Sequence, residues 1–332
     1  MSELAAELRT LIDGLVTEGA GACSTADEAM ELWGRMCELG LHRIGVPEDR
    51  GGSGGSLDDL LVVVEALAAR GAGVPIVEAS VAEWVLSHAG PHDQRGGPAV
   101  VVLLDGPAGT ILENVAWGRY ARRLVVCAAD APTRVFDVDP QSAALGENLA
   151  GEPRDEVTVA GVGAAVLPGA PTYVAVRERL ALLWSAAVTG AARGAYGLTR
   201  TYVAQREQFG APLLSLPAVA TGLARMRVSL AQAETALDLA REAVGSGTEV
   251  AASVAVARIT TAATATEIAR LSHQLHGAMG ITREYPLHGL TRRLWAWRDA
   301  VATETQWSRE LGSVAAAHGE SGLWTRLTAT PH

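Results

Sequence analysis

The chain has no lysine. All 27 of its basic residues are arginine, set against 37 acids, for a formal net charge of −10. The arginines occur on every segment, which reads as codon bias rather than as one basic site. With an acidic balance and no basic cluster, no nucleic-acid partner is expected. Cysteine is nearly as scarce. Cys23, Cys37 and Cys127 are too few and too scattered for a disulfide framework or a zinc site, which points to a reducing, cytoplasmic setting. No uncharged apolar run approaches the roughly 20 residues that a membrane-spanning helix needs. The start, MSELAAELRTLIDGL, carries acids and lacks the basic end and apolar run of a signal peptide, so no membrane role is expected. Phenylalanine occurs only twice.

What is abundant is small and apolar. Hydrophobic residues make up 48% of the 332, with 36 glycines. That is enough for a sizeable core over one to three domains. Small residues let helices approach closely, which favours a bundle.

Periodicity divides the chain. Residues 3–20 read as a helix with Leu4, Leu8, Leu11 and Leu15 on one face. Ser24 or Thr25 can cap the next, which carries Leu32, Trp33 and Met36 and ends near Gly40. The glycine-rich stretch 41–56 is a loop. It has no strand before it and no Lys-Ser/Thr after it, which argues against a phosphate-binding P-loop and for a helix connector. Helices follow over 57–69 and 77–86. Short strands are predicted over 99–104, 124–128, 133–138 and 157–159. From Tyr173 the helical pattern returns, over 176–208, 216–244, 249–274 and 287–311, which makes an up-down four-helix bundle. The expected units are therefore 1–92 helical, 93–170 a small β domain, 171–315 the bundle and 316–332 a loosely held tail.

The segment REQFGAPL, 206–213, joins two of the bundle helices. Gly210 and Pro212 end the first of them. Arg206, expected in its last turn, complements the helix dipole, pairs with Glu207, or is presented to a phosphate. Two further segments stand out: QLHGAMG at 274–280, followed by TREYP at 282–286, and VPEDRGGSGG at 46–55. His276 and His288 lie twelve apart with no acidic third ligand, so no metal is expected. The run RRLWAWR, 292–298, reads as a bundle helix with Trp inward and Arg outward.

In this order and spacing the three segments resemble the acyl-CoA dehydrogenase family. The resemblance implies a mainly α fold, with an N-terminal helical domain, a small middle β domain and a C-terminal four-helix bundle. It implies FAD as cofactor, an acyl-CoA substrate, α,β-desaturation by a carboxylate base and a flavin, and an electron-transfer flavoprotein or similar acceptor. Carried over, Arg206 holds a flavin pyrophosphate, Phe209 packs on the ring system, and Gln274 and Gly277 form the turn near its adenosine diphosphate half. Thr303 matches a family threonine. The departures are as telling. Ala278 stands for a glycine and Pro217 for a glutamine. The middle region lacks the family's ring-binding segments, and the usual base position falls on Val301. In related subgroups the base lies at the start of the first bundle helix, where Glu178 sits within Arg-Glu-Arg-Leu; Asp299 and Glu304 flank Val301.

Such a depleted chain is similar to one subunit of the heterotetrameric, steroid-type acyl-CoA dehydrogenases. In that reading a second dehydrogenase-like subunit supplies the base and much of the flavin pocket. A self-sufficient homo-oligomer using Glu178, a non-catalytic scaffold, and a non-redox acyl-CoA enzyme of the same fold are the alternatives.

Overall fold

The computed structural model describes residues 3–16, 25–90, 97–139, 141, 143–159, 164–282 and 284–328, with backbone alone at 318 and 320–328. Four helices open the chain: α1 Glu3–Leu15, α2 Ala26–Glu38, α3 Leu57–Ala69 and α4 Ile76–Ser87. Thr25 caps α2 through a reciprocal pair. Its hydroxyl accepts the Glu28 N–H at 3.2 Å, and the Glu28 carboxylate accepts the Thr25 N–H at 3.3 Å. Ser56 and Asp59 do the same for α3. The buried stripe of α1 is Ala5, Leu8 and Ile12, continued by Val16 just past its end, while Leu4 and Leu11 are exposed. The leucine face expected from the sequence is thus rotated, because Ala5 and Ile12 fill the space against α3 that Leu4 and Leu11 would have taken. Residues 17–20, Cys23 and the alternative cap Ser24 lie outside the described residues.

The middle region forms two small sheets. In one, β1 Ala99–Leu104 pairs parallel with β3 Arg123–Ala128, which pairs antiparallel with β4 Ala131–Asp137, which in turn pairs with β7 Ala165–Val166. In the other, β6 Arg154–Thr158 lies between β2 Ile111–Ala116 and β5 Ala143–Ala144. The inward faces of β1 and β3 are fully apolar and pack under α4. Asp155 is wholly buried on β6. It binds Arg119 through both carboxylate oxygens, and that ion pair ties the turn after β2 to the sheet.

The helical remainder comprises α5 Tyr173–Gln205, α6 Pro217–Ser246, α7 Val250–His276, α8 Leu287–Arg298 and α9 Glu304–Thr328, with the two-residue strands β8 Glu207–Gln208 and β9 Ala211–Pro212 between α5 and α6. One expectation is corrected here: the stretch 287–311 is two helices, broken at 299–303. The backbone of the tail from Ala316 is helical to Thr328, bent at Gly319. The long helix α5 is the spine, packing on α3, α6, α7 and α8. Its closest approach is to α3. A Cβ at Gly190 would overlap the Glu65 carbonyl oxygen, and one at Gly194 the Ala69 carbonyl oxygen. Arg193, between the two glycines, reaches Glu65 on α3 at 2.7 Å and Glu234 on α6 at 3.0 Å. Small residues therefore set the helix spacing, and one arginine bridges three helices across it.

His42 follows α2 and packs edge-on against Trp33, with ring centroids 5.6 Å apart. It is 4% exposed, and burial pulls its imidazole down to about 4. An unfolded histidine titrates near 6.5. Below that pH the unfolded chain binds a proton that the folded chain refuses, so stability falls as the pH drops from about 6.5 towards 4. The loss sums to about 3 kcal/mol. Urea midpoints of the wild type and of His42→Gln, compared at pH 7 and pH 4.5, are expected to diverge with the wild type the more acid-sensitive. Parallel lines would refute this assignment.

Candidate functional site

The join between α5 and α6 is built differently from the helix end expected there. α5 stops at Gln205, and Arg206 is its extended C-cap, with φ −74° and ψ 119°. The Arg206 N–H donates to Tyr202 O, and Arg206 O accepts the Leu213 N–H at 2.8 Å. β8 and β9 then make a hairpin around Phe209 and Gly210, at φ 54° and 80°. Positive φ at both central residues gives the turn whose twist suits a two-residue hairpin. Glycine adopts it freely; phenylalanine does so at a cost of roughly 1–2 kcal/mol. The strain holds Phe209 outward, 90% exposed. Arg206 is exposed too, and among the described residues its guanidinium has no partner. The pair with Glu207, one of the alternatives, does not form.

The second motif reaches the same end of the bundle. α5 and α7 run parallel, with α6 returning between them, so both C-termini meet. Tyr202 stacks on His276 at 4.4 Å, Tyr285 closes on both rings, and the Tyr202 hydroxyl donates to His276 O at 3.4 Å. His276 Nδ1 lies 2.8 Å from Ser272 O, and a carbonyl only accepts, so Nδ1 carries the proton and Nε2 accepts from the Tyr285 hydroxyl. Burial lowers the affinity of His276 for a second proton. Next to this clamp, Gly277 has φ 60° and ψ −141°, open to glycine alone. Gln274 is exposed and accepts from Arg270 Nη1 at 3.2 Å. The structure thus brings Arg206, Phe209, Gln274 and Gly277 to one surface. Arg283 of the following turn lies outside the described residues.

Thr303, Val301 and Glu178 lie elsewhere. Arg258, buried in α7, donates through Nη2 to Trp297 O, Arg298 O and Ala300 O, at 3.1, 2.7 and 3.1 Å. That single nitrogen caps the negative end of α8 and fixes the turn carrying position 301. Burial lowers the Arg258 pKa to about 10, so it stays charged at neutral pH. Arg258 and Gly277 are about 28 Å apart along α7 at 1.5 Å per residue. Val301 has φ 72°, a strained conformation for a β-branched residue. Thr303 caps α9, accepting the Gln306 N–H at 3.3 Å while the Gln306 side chain accepts the Thr303 N–H at 2.8 Å. Its hydroxyl is thereby engaged within the chain, away from the other expected cofactor residues. Glu178 is nearer this second group, because its neighbour Arg177 pairs with Glu310 and covers Trp307 on α9. Val176 and Leu180 are buried on one side of α5, and Glu178, two residues from each, points the other way. Partial burial raises its pKa.

The crevice between the β region and the bundle is filled. A cavity of about 20 Å³, room for roughly one water, is lined by Trp117, Trp184 and Trp297 together with Glu78, Glu152 and Arg154. Trp297 Nε1 donates to Glu152 at 2.9 Å, Arg293 pairs with the same carboxylate at 3.2 Å, and Arg292 Nε donates to Leu149 O at 2.6 Å. Arg154 holds Glu78 at 3.1 Å. These contacts lock the 147–153 loop onto α8. Of the residues an FAD would need, the fit is therefore divided: an unpaired guanidinium and a glycine turn face outward, while the cavity lined by Trp297 and Glu152 among the described residues is too small for a ring. Sequence gave no hint of Trp297, Glu152 or Arg258 in these roles, since their partners are distant in the chain. Among the described residues no helix is long and apolar enough to cross a membrane.

Residues 2–96 match the family model of the acyl-CoA dehydrogenase N-terminal domain, and 174–298 that of the C-terminal domain. Between them lies the β region. The acyl-CoA dehydrogenase IpdE2 of Mycolicibacterium smegmatis is 27% identical over 300 residues, covering 86% of this chain and 91% of its own. A variant of the Tcur3481–Tcur3483 steroid acyl-CoA dehydrogenase superposes with a TM-score of 0.82 at 22% identity, over 96% of this chain and 99% of that one. The ChsE4–ChsE5 complex of Mycobacterium tuberculosis gives 0.78 at 20% identity, over 100% and 99%. These last two establish the shared fold. With both terminal domains matched in order and a related dehydrogenase aligned over most of its length, the chain belongs to the acyl-CoA dehydrogenase family.

Proposed function

We propose that this chain is one subunit of a flavin-dependent acyl-CoA dehydrogenase and contributes one side of an FAD site shared with a second, dehydrogenase-like subunit. The observation that carries the reading is the contrast at its two candidate sites. Arg206 and Phe209 are displayed outward on a strained turn, while the chain's own crevice is packed shut by Trp297 and Glu152. An unpaired guanidinium suits a pyrophosphate, which its planar fork binds through paired hydrogen bonds. The backbone of the Gly277 turn lies beside it, and Gln274 is a further polar contact. When bound, FAD supplies the oxidising equivalent for α,β-desaturation of the thioester; this chain orients it and excludes water at the joint. With Val at position 301, the base comes from the partner. Similarity to two heteromeric complexes, one of them a steroid acyl-CoA dehydrogenase, supports a heterotetramer and a bulky, ring-bearing acyl group. An electron-transfer flavoprotein or similar acceptor completes the turnover.

The visible absorption spectrum tests this directly. The chain purified alone is expected to be colourless, and to carry flavin only when co-expressed with its partner. A flavin spectrum from the chain alone would overturn the shared site. It would favour the homo-oligomeric reading with Glu178 as base, which the raised pKa of that carboxyl supports.

A further inference from the structure

Arg179 is an exception among the arginines that face inward. Arg43, Arg119, Arg154, Arg193 and Arg293 each meet a carboxylate, and Arg258 meets three carbonyl oxygens. Among the described residues Arg179 meets neither. Its guanidinium carbon lies 4.5 Å over the ring of Trp84 on α4. Its Nε is shut off from solvent without a hydrogen-bond partner. On the glycine-loop side, a Cβ at Gly45 would come within 3.3 Å of Nη2. The indole is thus a floor and the loop a wall, while the residue as a whole stays half-buried and reachable. Burial lowers its basicity to about 10 and no neighbouring acid offsets this, so a cation is held there at neutral pH. Desolvating a charge without a counter-ion is costly. Stacking on an indole offsets only part of that cost. The deficit is one that an incoming anion removes, and the planar fork of a guanidinium matches a carboxylate.

We propose that the crevice bounded by Gly45, Trp84 and Arg179 binds a carboxylate through the Nη groups of Arg179. The carboxylate belongs either to a free small acid or to the acyl part of an acyl-CoA. Arg179 and Arg206 are about 40 Å apart along α5 at 1.5 Å per residue, so this site does not depend on flavin loading.

The test is calorimetric titration of the full-length chain, at low ionic strength, with succinate, with succinyl-CoA, and with butyryl-CoA as the thioester that lacks the carboxylate. Saturable binding of succinate, or of succinyl-CoA more tightly than butyryl-CoA, is expected. The first result assigns the free acid and the second the acyl group. In Arg179→Met the binding is expected to weaken at least about tenfold, as a lost charge-assisted pair requires. Arg179→Met keeps a stem against Trp84. If Arg179 served packing alone, this variant would melt lower and succinate would not raise the wild-type Tm. A carboxylate site instead gives a Tm no lower than wild type, and in the wild type only a rise with succinate, or with succinyl-CoA beyond that with butyryl-CoA. Binding to neither probe, no preference for succinyl-CoA over butyryl-CoA without succinate binding, or undiminished binding in Arg179→Met overturns the proposal.

Discussion

Alanine at Gly194 is expected to destabilise the fold by about 3 kcal/mol or more, while alanine at Gly197, one turn away on the same helix, stabilises it slightly. Helix propensity favours both changes by about 1 kcal/mol, because glycine is the costlier residue in a helix interior. Packing decides between them. At Gly197 a Cβ meets nothing within 4 Å, so propensity acts alone. At Gly194 the new methyl overlaps the Ala69 carbonyl oxygen. That oxygen is backbone at the end of α3 and cannot rotate away, so α3 and α5 must part along a seam that also includes Gly190. Overpacking of this kind costs about 1–3 kcal/mol even where side chains yield. The separation also strains the Arg193 bridge to Glu65 and Glu234. Urea unfolding of the two variants is the measurement. Equal midpoints would mean that α3 and α5 are further apart than the structure has them.

The second large effect concerns Arg206. In the co-purified complex, Arg206→Ala is expected to weaken flavin binding by about 10–150-fold, the equivalent of roughly 1.5–3 kcal/mol for a hydrogen bond to a charged group. The thermal stability of the flavin-free subunit should not change, because the side chain is exposed and partnerless within the chain. Arg206→Lys keeps the charge and loses the fork, so it should fall between the two. Flavin content per complex and a flavin titration read the first effect, and the melting curve of the subunit reads the second. A drop in subunit stability with full flavin occupancy would make Arg206 a structural cap instead.

Much of this was legible in the sequence, for identifiable reasons. The strand 99–104 and the helices 57–69 and 77–86 followed from apolar runs bounded by turn residues, and the structure has them within a residue or two. β2 was missed because Glu113 and Asn114 interrupt its apolar pattern, and they do so at an irregularity where Asn114 takes φ 56°. The break at 299–303 carries neither proline nor glycine, so the helical period ran through it. A signal was nonetheless present, since Thr303 and Gln306 have the spacing of a reciprocal cap. Arg206, Phe209, Gln274 and Gly277 could be named from their motifs. That they share one surface required the parallel course of α5 and α7. Thr303 lies at another place in the chain, as the cap of α9, a separation that a motif list does not show because it has no distances. Arg179 was invisible for a different reason: Arg177 and Arg179 look alike in sequence, and only packing reveals that Glu310 neutralises the first and that nothing among the described residues neutralises the second.

The glycine seam between α3 and α5 has a mechanical consequence. Backbone against backbone leaves no side-chain layer to slide, so a hinge between α3 and α5 would have to pull the two backbones apart at Gly190 and Gly194. The β region is joined differently, through side chains: its 147–153 loop is pinned to α8 by Glu152 and the Leu149 carbonyl. Loosening that pin would let the sheets swing while the display of Arg206 at the far end of α5 stayed still.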